Sequence, residues 1–517
     1  MTSSVTDNPG GCVAPPFFAH AAAQPDRLAI WCDGRTATYA ELSALVRRWS
    51  HALAARGVQS GDNVGVLLPN SVEFAALLMV AADLGVSLVP LNMSLSPEAV
   101  GRAFAAADVR HVVAGAHQLA ALAQPAVPGL QIAVDGAAPN AVTLEELLAT
   151  VPQDVAPQGR GTPDAALILT MTSGSTGDPK PIVLTQRTKV NRAAAAVQMY
   201  GVRASDVILA ATPLYHSLAE RLVLMALMHG ATAVVMARFS TGAWLRCVAE
   251  QRVTFTIAVS SQLKQIVAEL RADAGHDTGS LRCVVSSSAL LDNATKDELL
   301  AHIGCAFHEC YGTSEIAIAS NLDSASAAGK LQSVGCAAPG VDIRILGAGD
   351  IELPAGAVGE IVCRTPMLFG GYYRRPDQTG AAMWGDYFRT GDLGCLDADG
   401  FLYYRGRAKD LIITGGVNVY PGDVEAVAAT LPAVKECAAF AVADEKLGEV
   451  VGLALVLDDA AAFNLRALRA LCADRLADFQ QPRHFHVVDA LPKNPMGKIM
   501  KFELVRQFSK PGTGAGQ

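Results

Sequence analysis

The chain has 517 residues, too many for one ordinary hydrophobic core, so at least two domains are expected. Apolar residues make up 51% and charged ones 17%, a globular composition, and a net charge of −8 leaves no electrostatic footprint for nucleic acid. Eleven cysteines without paired spacing, an odd number in a large chain, read as reduced thiols in a cytoplasmic protein. The opening MTSSVTDNPGGCV has no basic segment followed by an apolar core, so no secretory signal is expected. The most apolar stretch, 222–237, is interrupted by His229 and Gly230 and is too short for a bilayer span, so no membrane partner is expected either.

In chain order, residues 38–56 carry apolar side chains at helical spacing behind Thr38-x-x-Glu41, a capping-box signature. Residues 64–68 read as a buried strand, 71–83 as a helix and 87–90 as a strand, and the alternation continues through 98–107 and 111–113. That rhythm predicts a layered α/β fold with mostly parallel sheets. Residues 124–163, rich in Ala, Pro and Gly, are expected to be an irregular connection. A second α/β series spans 207–321, and short strands and turns over 335–404 predict a β-rich subdomain. Helices over 424–431 and 465–476, with strands over 437–442 and 450–457, predict a separate small α+β lid.

Four stretches carry chemistry. Between apolar runs at 165–171 and 182–184 lies Thr172-Ser173-Gly174-Ser175-Thr176-Gly177-Asp178-Pro179-Lys180. Its two glycines tolerate positive φ, its backbone N–H groups can form an anion nest, and four hydroxyls and an ammonium can add bonds to a polyphosphate. It is neither a Walker A loop nor a G-x-G-x-x-G turn. In Tyr311-Gly312-Thr313-Ser314-Glu315 a ring can pack on a base, a hydroxyl can reach a phosphate, and a carboxylate can help hold Mg²⁺. The nearby Cys305, His308 and Cys310, lacking a fourth ligand, read as strand and core residues. Tyr387–Asp392 is expected to end in a Gly-Asp turn whose carboxylate can accept from both hydroxyls of a ribose. Residues 491–499 hold too much Pro and Gly for a helix and form a loop from which Lys498 can reach elsewhere.

In order and spacing these stretches resemble the signatures of the adenylate-forming superfamily, which includes acyl-CoA synthetases, peptide-synthetase adenylation domains and firefly-type luciferases. The resemblance covers nearly the whole chain. It implies a large N-terminal domain of layered sheets with a β-rich subdomain, residues 1–408, and a small mobile α+β C-terminal domain, residues 409–517. It implies ATP phosphates on Thr172, Ser173, Gly174, Ser175, Thr176, Gly177 and Lys180, with Tyr311, Gly312 and Ser314 also on the nucleotide. Asp392 and Arg407 would take the ribose, Thr176 and Glu315 the Mg²⁺, and Lys409 would be the hinge. Lys498, His216 and Glu315 would be catalytic, Lys498 contacting the acid and the α-phosphate. Two departures stand out: Pro181 where the family usually has Gly, and Ser314 where it has Thr. No insertion of the fatty-acid-AMP-ligase type is seen at the hinge.

The acid pocket is expected at Tyr215, His216, Ser260, Ser287, Ser288 and Ala289. Hydroxyls at 260, 287 and 288, where relatives are commonly bare, predict an aromatic or short-to-medium acid, with or without a polar substituent, over a long fatty acid. The alternative is that these serines bond to backbone. Around Leu218, Ala219 and Leu222, where Glu220 is flanked by Arg221, there is no amine anchor, so an α-amino acid is not expected. The function implied is an ATP-dependent carboxylic acid–CoA ligase acting through an acyl-adenylate and using ATP, Mg²⁺ and coenzyme A. The alternatives are a ligase that loads a stand-alone carrier protein and a non-catalytic nucleotide binder. Retention of Glu315, Asp392, Arg407 and Lys498 argues against the latter. A homodimer is left open.

Overall fold

The computed structural model describes residues 10–122, 127–173, 179–273, 275–325, 327, 329–493 and 497–508. Packing divides the chain into two units: Met1–Leu331 with Ala337–Asp342 and Arg364–Phe388, and Gln332–Cys336 with Ile343–Cys363 and Arg389–Gln517. By packing, residues 343–363 and 389–404 of the β-rich stretch group with the C-terminal residues.

The first unit is the α/β part. Helix Tyr39–Ala55 begins as predicted: the Thr38 hydroxyl accepts from the Glu41 N–H, and the Glu41 carboxylate accepts from the Thr38 N–H. Tyr39, Leu42, Val46, Trp49 and Leu53, spaced three or four apart, form its buried face. Helix Val72–Leu84 is buried along nearly its whole length, Glu73 excepted, as its continuously apolar sequence requires. One seven-stranded sheet runs Val142–Thr143, Gln131–Ala133, Val109–Ala114, Asn63–Leu67, Ser87–Pro90, Ala166–Ser173, Pro179–Thr185. All neighbours are parallel except the last pair, an antiparallel hairpin.

The 124–163 stretch is less irregular than expected. It supplies strands Gln131–Ala133 and Val142–Thr143 at the sheet edge and helix Leu144–Ala149. The helix starts on a capping box between Thr143 and Glu146, a signal hidden among short, Ala-rich pieces. Strands of two or three residues have no periodicity of their own and form only because a sheet edge pairs with them.

A second sheet of this unit runs Arg35–Thr38, Leu28–Cys32, Thr232–Val235, Val207–Ala210, Phe255–Val259, Cys283–Ser287, Ala306–Tyr311, Ser320–Asp323. Its strands from Leu28–Cys32 to Ala306–Tyr311 are parallel. On one face, Trp244, Leu245, Leu263, Ile266 and Leu299 cover Val284 and Phe307 in a single cluster. The carboxyl ends of such parallel strands are where open α/β folds bind ligands.

In the second unit, Asp342–Leu346, Gly359–Arg364, Tyr387–Leu396 and Leu402–Arg407 supply neighbouring strands of a small sheet. Asp392 lies within a strand, not in the turn expected; Gly391 takes the turn-like φ of +68° while the ladder to Leu402–Arg407 continues past it. Another sheet joins Ile412–Thr414, Val417–Val419, Gly448–Leu457, Val434–Asp444 and His484–Val487. Helices Pro421–Ala428 and Leu465–Arg475 cover one of its faces and Lys501–Phe508 the other, which gives the α+β composition predicted.

Candidate active site

The hairpin on either side of the expected phosphate loop is formed as the apolar runs require, with Met171 opposite Pro181 and Thr172 opposite Lys180. Gly174, Ser175, Thr176 and Gly177 lie outside the described residues, and for Thr172 and Ser173 the structure describes the backbone alone. Strand Pro179–Thr185 is the last of its sheet, and Pro is tolerated on such an edge. The Pro181 carbonyl still accepts from the Tyr373 N–H at 3.0 Å, while Val183 exchanges bonds with Gly370 and Gly371 at 2.8 and 2.9 Å. Pro181 therefore leaves the ladder unbroken.

That edge contact brings Tyr372 under Lys180. The Lys180 ammonium sits 3.2 Å from the Tyr372 ring centroid, and the Tyr372 hydroxyl donates to Glu315 Oε1 at 3.3 Å. Burial lowers the Lys180 pKa, opposed by the Glu315 charge. Burial and Glu315 together push the Tyr372 phenol up, so it stays a donor. Tyr372 was missed in the sequence; its signal is the Gly370-Gly371 pair, small enough to let that segment lie against strand Pro179–Thr185. A methyl on Gly370 would come within 3.2 Å of Val183.

Behind Glu315 lies a second missed residue. Arg192, fully buried on helix Gln186–Tyr200, donates to the carbonyls of Ser314 (2.9 Å), Glu315 (3.1 Å) and Met367 (3.2 Å). Burial, then Arg221, lowers its pKa to about 10. The Tyr311–Glu315 loop is thus clamped by backbone carbonyls. Gly312 is required there, since a Cβ would fall 2.1 Å from the Ala317 carbonyl oxygen. Ser314 is half-buried, whereas Thr313 has a buried hydroxyl with no partner among the described residues.

Around the expected acid pocket, His216 caps helix Ser217–His229 and leans on Tyr215 with ring centroids 5.0 Å apart. Burial lowers its pKa to about 4, so it is neutral at neutral pH and works as a hydrogen-bonding ring. Ser260, Ser287 and Ala289 follow or end adjacent strands and do come together. The Ser260 hydroxyl, however, donates to the Ala289 carbonyl and lies 3.4 Å from Ser286 Oγ, so it closes the loop and offers little to a substrate. Ser287 stands beside the Cys310 thiol, and Ser288 is exposed with a φ of +77°.

In the second unit the strand register sets Asp392 directly opposite Arg407, with Oδ1 3.4 Å from Nε. Asp392 is 4% exposed. Lys409 sits in the short turn Ala408–Asp410. Lys498 follows Gly497 in a loop closed by the Lys493–Ile499 bridge and by the Met500 N–H on the Pro492 carbonyl at 2.8 Å. Burial and the Arg407 charge lower the Lys498 pKa to about 8, with Asp392 and Asp410 opposing. Asp392, Arg407 and Lys498, dispersed over more than a hundred residues, are therefore electrostatic neighbours.

Residues 17–373 match the AMP-binding enzyme family and 423–498 the AMP-binding enzyme C-terminal domain. A long-chain-fatty-acid–CoA ligase of Mycobacterium tuberculosis is 32% identical, covering 91% of this chain and 93% of its own. A sulfoacetate–CoA ligase of Cupriavidus necator is 34% identical, with 92% and 93% covered. Among solved structures, an o-succinylbenzoate CoA synthetase of Bacillus subtilis, in complex with its acyl-adenylate intermediate, superposes with a TM-score of 0.84 at 28% identity, covering 95% of this chain and 97% of its own.

Proposed function

This chain belongs to the AMP-binding enzyme family, in its CoA-ligase branch, and from that membership we propose an AMP-forming acid–CoA ligase that works in two half-reactions. In the first, a carboxylate attacks the α-phosphorus of ATP; pyrophosphate leaves and an acyl-adenylate forms. In the second, the CoA thiol loses its proton and attacks the acyl carbonyl, and AMP leaves. The observation that carries the reading is the convergence of Asp392, Arg407 and Lys498: a buried carboxylate for ribose hydroxyls, a guanidinium in register with it, and an ammonium for the α-phosphate.

Lys180, stacked above Tyr372, and the orphan Thr313 hydroxyl would meet phosphate oxygens as charge moves onto the leaving group. Neutral His216 and Tyr215 would orient the acid. Glu315 fits Mg²⁺, which takes one or two carboxylates and otherwise phosphate and water; Tyr372 occupies only one of its acceptor sites. Bound there, the ion would neutralise the polyphosphate. Residues 1–408 and 409–517 would act as adenylating domain and lid about Lys409; the two family matches end and begin on either side of that residue. A cytoplasmic location is supported by eleven free cysteines. No helix among the described residues is long and apolar enough to cross a membrane.

The test is pyrophosphate release from ATP over a panel of carboxylic acids, with the thioester identified by mass spectrometry after CoA or a carrier protein is added. Acid-dependent pyrophosphate and an acyl-CoA are expected. No release with any acid would overturn the ligase, and a thioester on carrier protein alone would overturn the choice of CoA.

A further inference from the structure

Helix Ser217–His229 carries a buried cation with no partner among the described residues. Arg221 is 8% exposed, its Nε is without a partner, and it makes no hydrogen bond or ion pair with any described residue. Its cationic neighbours are engaged elsewhere, while Glu220 keeps one buried oxygen, Oε2, without a hydrogen bond. Lys189, 2% exposed, is ion-paired with Glu220, and Arg192 holds the carbonyls of Ser314, Glu315 and Met367. Glu220 precedes Arg221 and so projects about 100° away around the helix. Three buried cations therefore face one buried carboxylate. A guanidinium held at 8% exposure with its Nε buried and unpaired is costly, and replacing such charges by apolar groups is often neutral or stabilising. Retaining one here calls for an anion from outside.

The place of Arg221 says which anion. Its charge is felt by the Cys310 thiol and the Tyr200 phenol, and Ser287 stands at that same thiol. Cys310 and Ser287 lie at the carboxyl ends of adjacent parallel strands, where Ser286 pairs with Glu309. Arg221 is on the fifth residue of the helix that His216 caps. It thus lies about one helical turn along the chain from His216, beside the strand ends where the acid is expected.

We propose that Arg221 is a specificity-determining residue that binds a second anionic group, carboxylate or sulfonate, at the far end of the acid substrate. The inference rests on the ligase reading and narrows it to acids that stay anionic at the end remote from the reacting carboxylate. A guanidinium is suited to this, because its planar fork meets either group with paired N–H donors. It also makes a plain fatty acid a poor substrate, since an alkyl end would leave the charge buried and unpaired.

The experiment measures pyrophosphate release with matched pairs: hexanoate against adipate and 5-sulfopentanoate, and benzoate against phthalate and terephthalate. In the wild type the dianionic member should have the higher kcat/KM by about 10–150-fold, the range for charged hydrogen bonds. Arg221→Met should abolish or invert that preference, leave the KM for ATP within about twofold, and melt no lower than the wild type. Arg221→Lys should restore part of the preference. Monoanionic acids turned over as well as their dianionic partners would overturn this inference and leave the ligase standing. A raised KM for ATP with acid preference unchanged, or a melting temperature several degrees lower, would also overturn it, giving Arg221 to the nucleotide or to the fold. No pyrophosphate with any acid would remove both.

Discussion

Lys498 shows how a single pKa shapes the proposed chemistry. Burial first, and Arg407 second, bring its ammonium down to about 8, and only the charged form can meet a phosphate. The kcat/KM for ATP in adenylate formation should therefore fall as pH rises through about 8. Lys498→Ala should remove that limb and lower adenylate formation about 10²–10³-fold, with thioester formation from supplied acyl-adenylate far less affected. Equal losses in both half-reactions would make Lys498 structural. Stability has the opposite sign. The folded pKa lies below the unfolded value of about 10.4, so between those two values the unfolded chain binds more protons and Lys498 destabilises less as pH rises. The wild type should gain stability across that window relative to Lys498→Met; a constant difference in melting temperature would refute the assignment. Asp392→Ala should weaken ATP and AMP binding about 10–150-fold by removing a charged acceptor from the ribose hydroxyls. Calorimetric titration of the folded variant checks this, and unchanged affinity would withdraw Asp392 from the ribose.

At the scale of elements, the residues proposed for the nucleotide depend on turns that have no room to spare. Gly312 joins strand Ala306–Tyr311 to the loop carrying Thr313 and Glu315, and a methyl there would sit 2.1 Å from the Ala317 carbonyl oxygen. Gly312→Ala should lose about 1–3 kcal/mol of stability, the range for overpacking, and raise the KM for ATP. Gly304→Ala is the control, because nothing lies within 4 Å of its added methyl. Comparable melting temperatures and KM values for the two variants would mean that the loop yields freely. The buried Lys189–Glu220 pair plays a similar supporting part between helices. Glu220→Ala should cost about 3–5 kcal/mol, since it strands the Lys189 ammonium beside Arg192 and Arg221. A denaturant titration would show it, and a loss under about 1 kcal/mol would contradict the pairing.

For the whole molecule, the proposed cycle needs one carbonyl to be served by Lys498 and then reached by a thiol, and both cannot occupy that space. Reorientation of the C-terminal domain about Lys409 would resolve the conflict. Lys409 lies in the short turn Ala408–Asp410, immediately after the strand that carries Arg407. Lys409→Pro fixes φ at that point and should impair one half-reaction more than the other. Wild-type rates in both half-reactions, measured separately, would move the hinge elsewhere.

How much was legible beforehand follows from the range of the forces involved. Helix Tyr39–Ala55, helix Val72–Leu84, strand Ser87–Pro90 and the closed loop ending in Lys498 were readable because caps, periodicity and Pro-Gly content act over a few residues. The family was readable too, since its chemistry demands certain residue types in a certain order. The strands within 124–163 were not, because they exist only by pairing with a sheet built elsewhere in the chain. Nor was the mid-strand place of Asp392, which the register with Arg407 decides. Tyr372 beneath Lys180, Arg192 behind Glu315 and the unanswered charge of Arg221 were equally hidden. Whether a charged side chain is paired, stacked or left alone in the interior depends on neighbours distant in sequence, and only the folded chain brings them within reach.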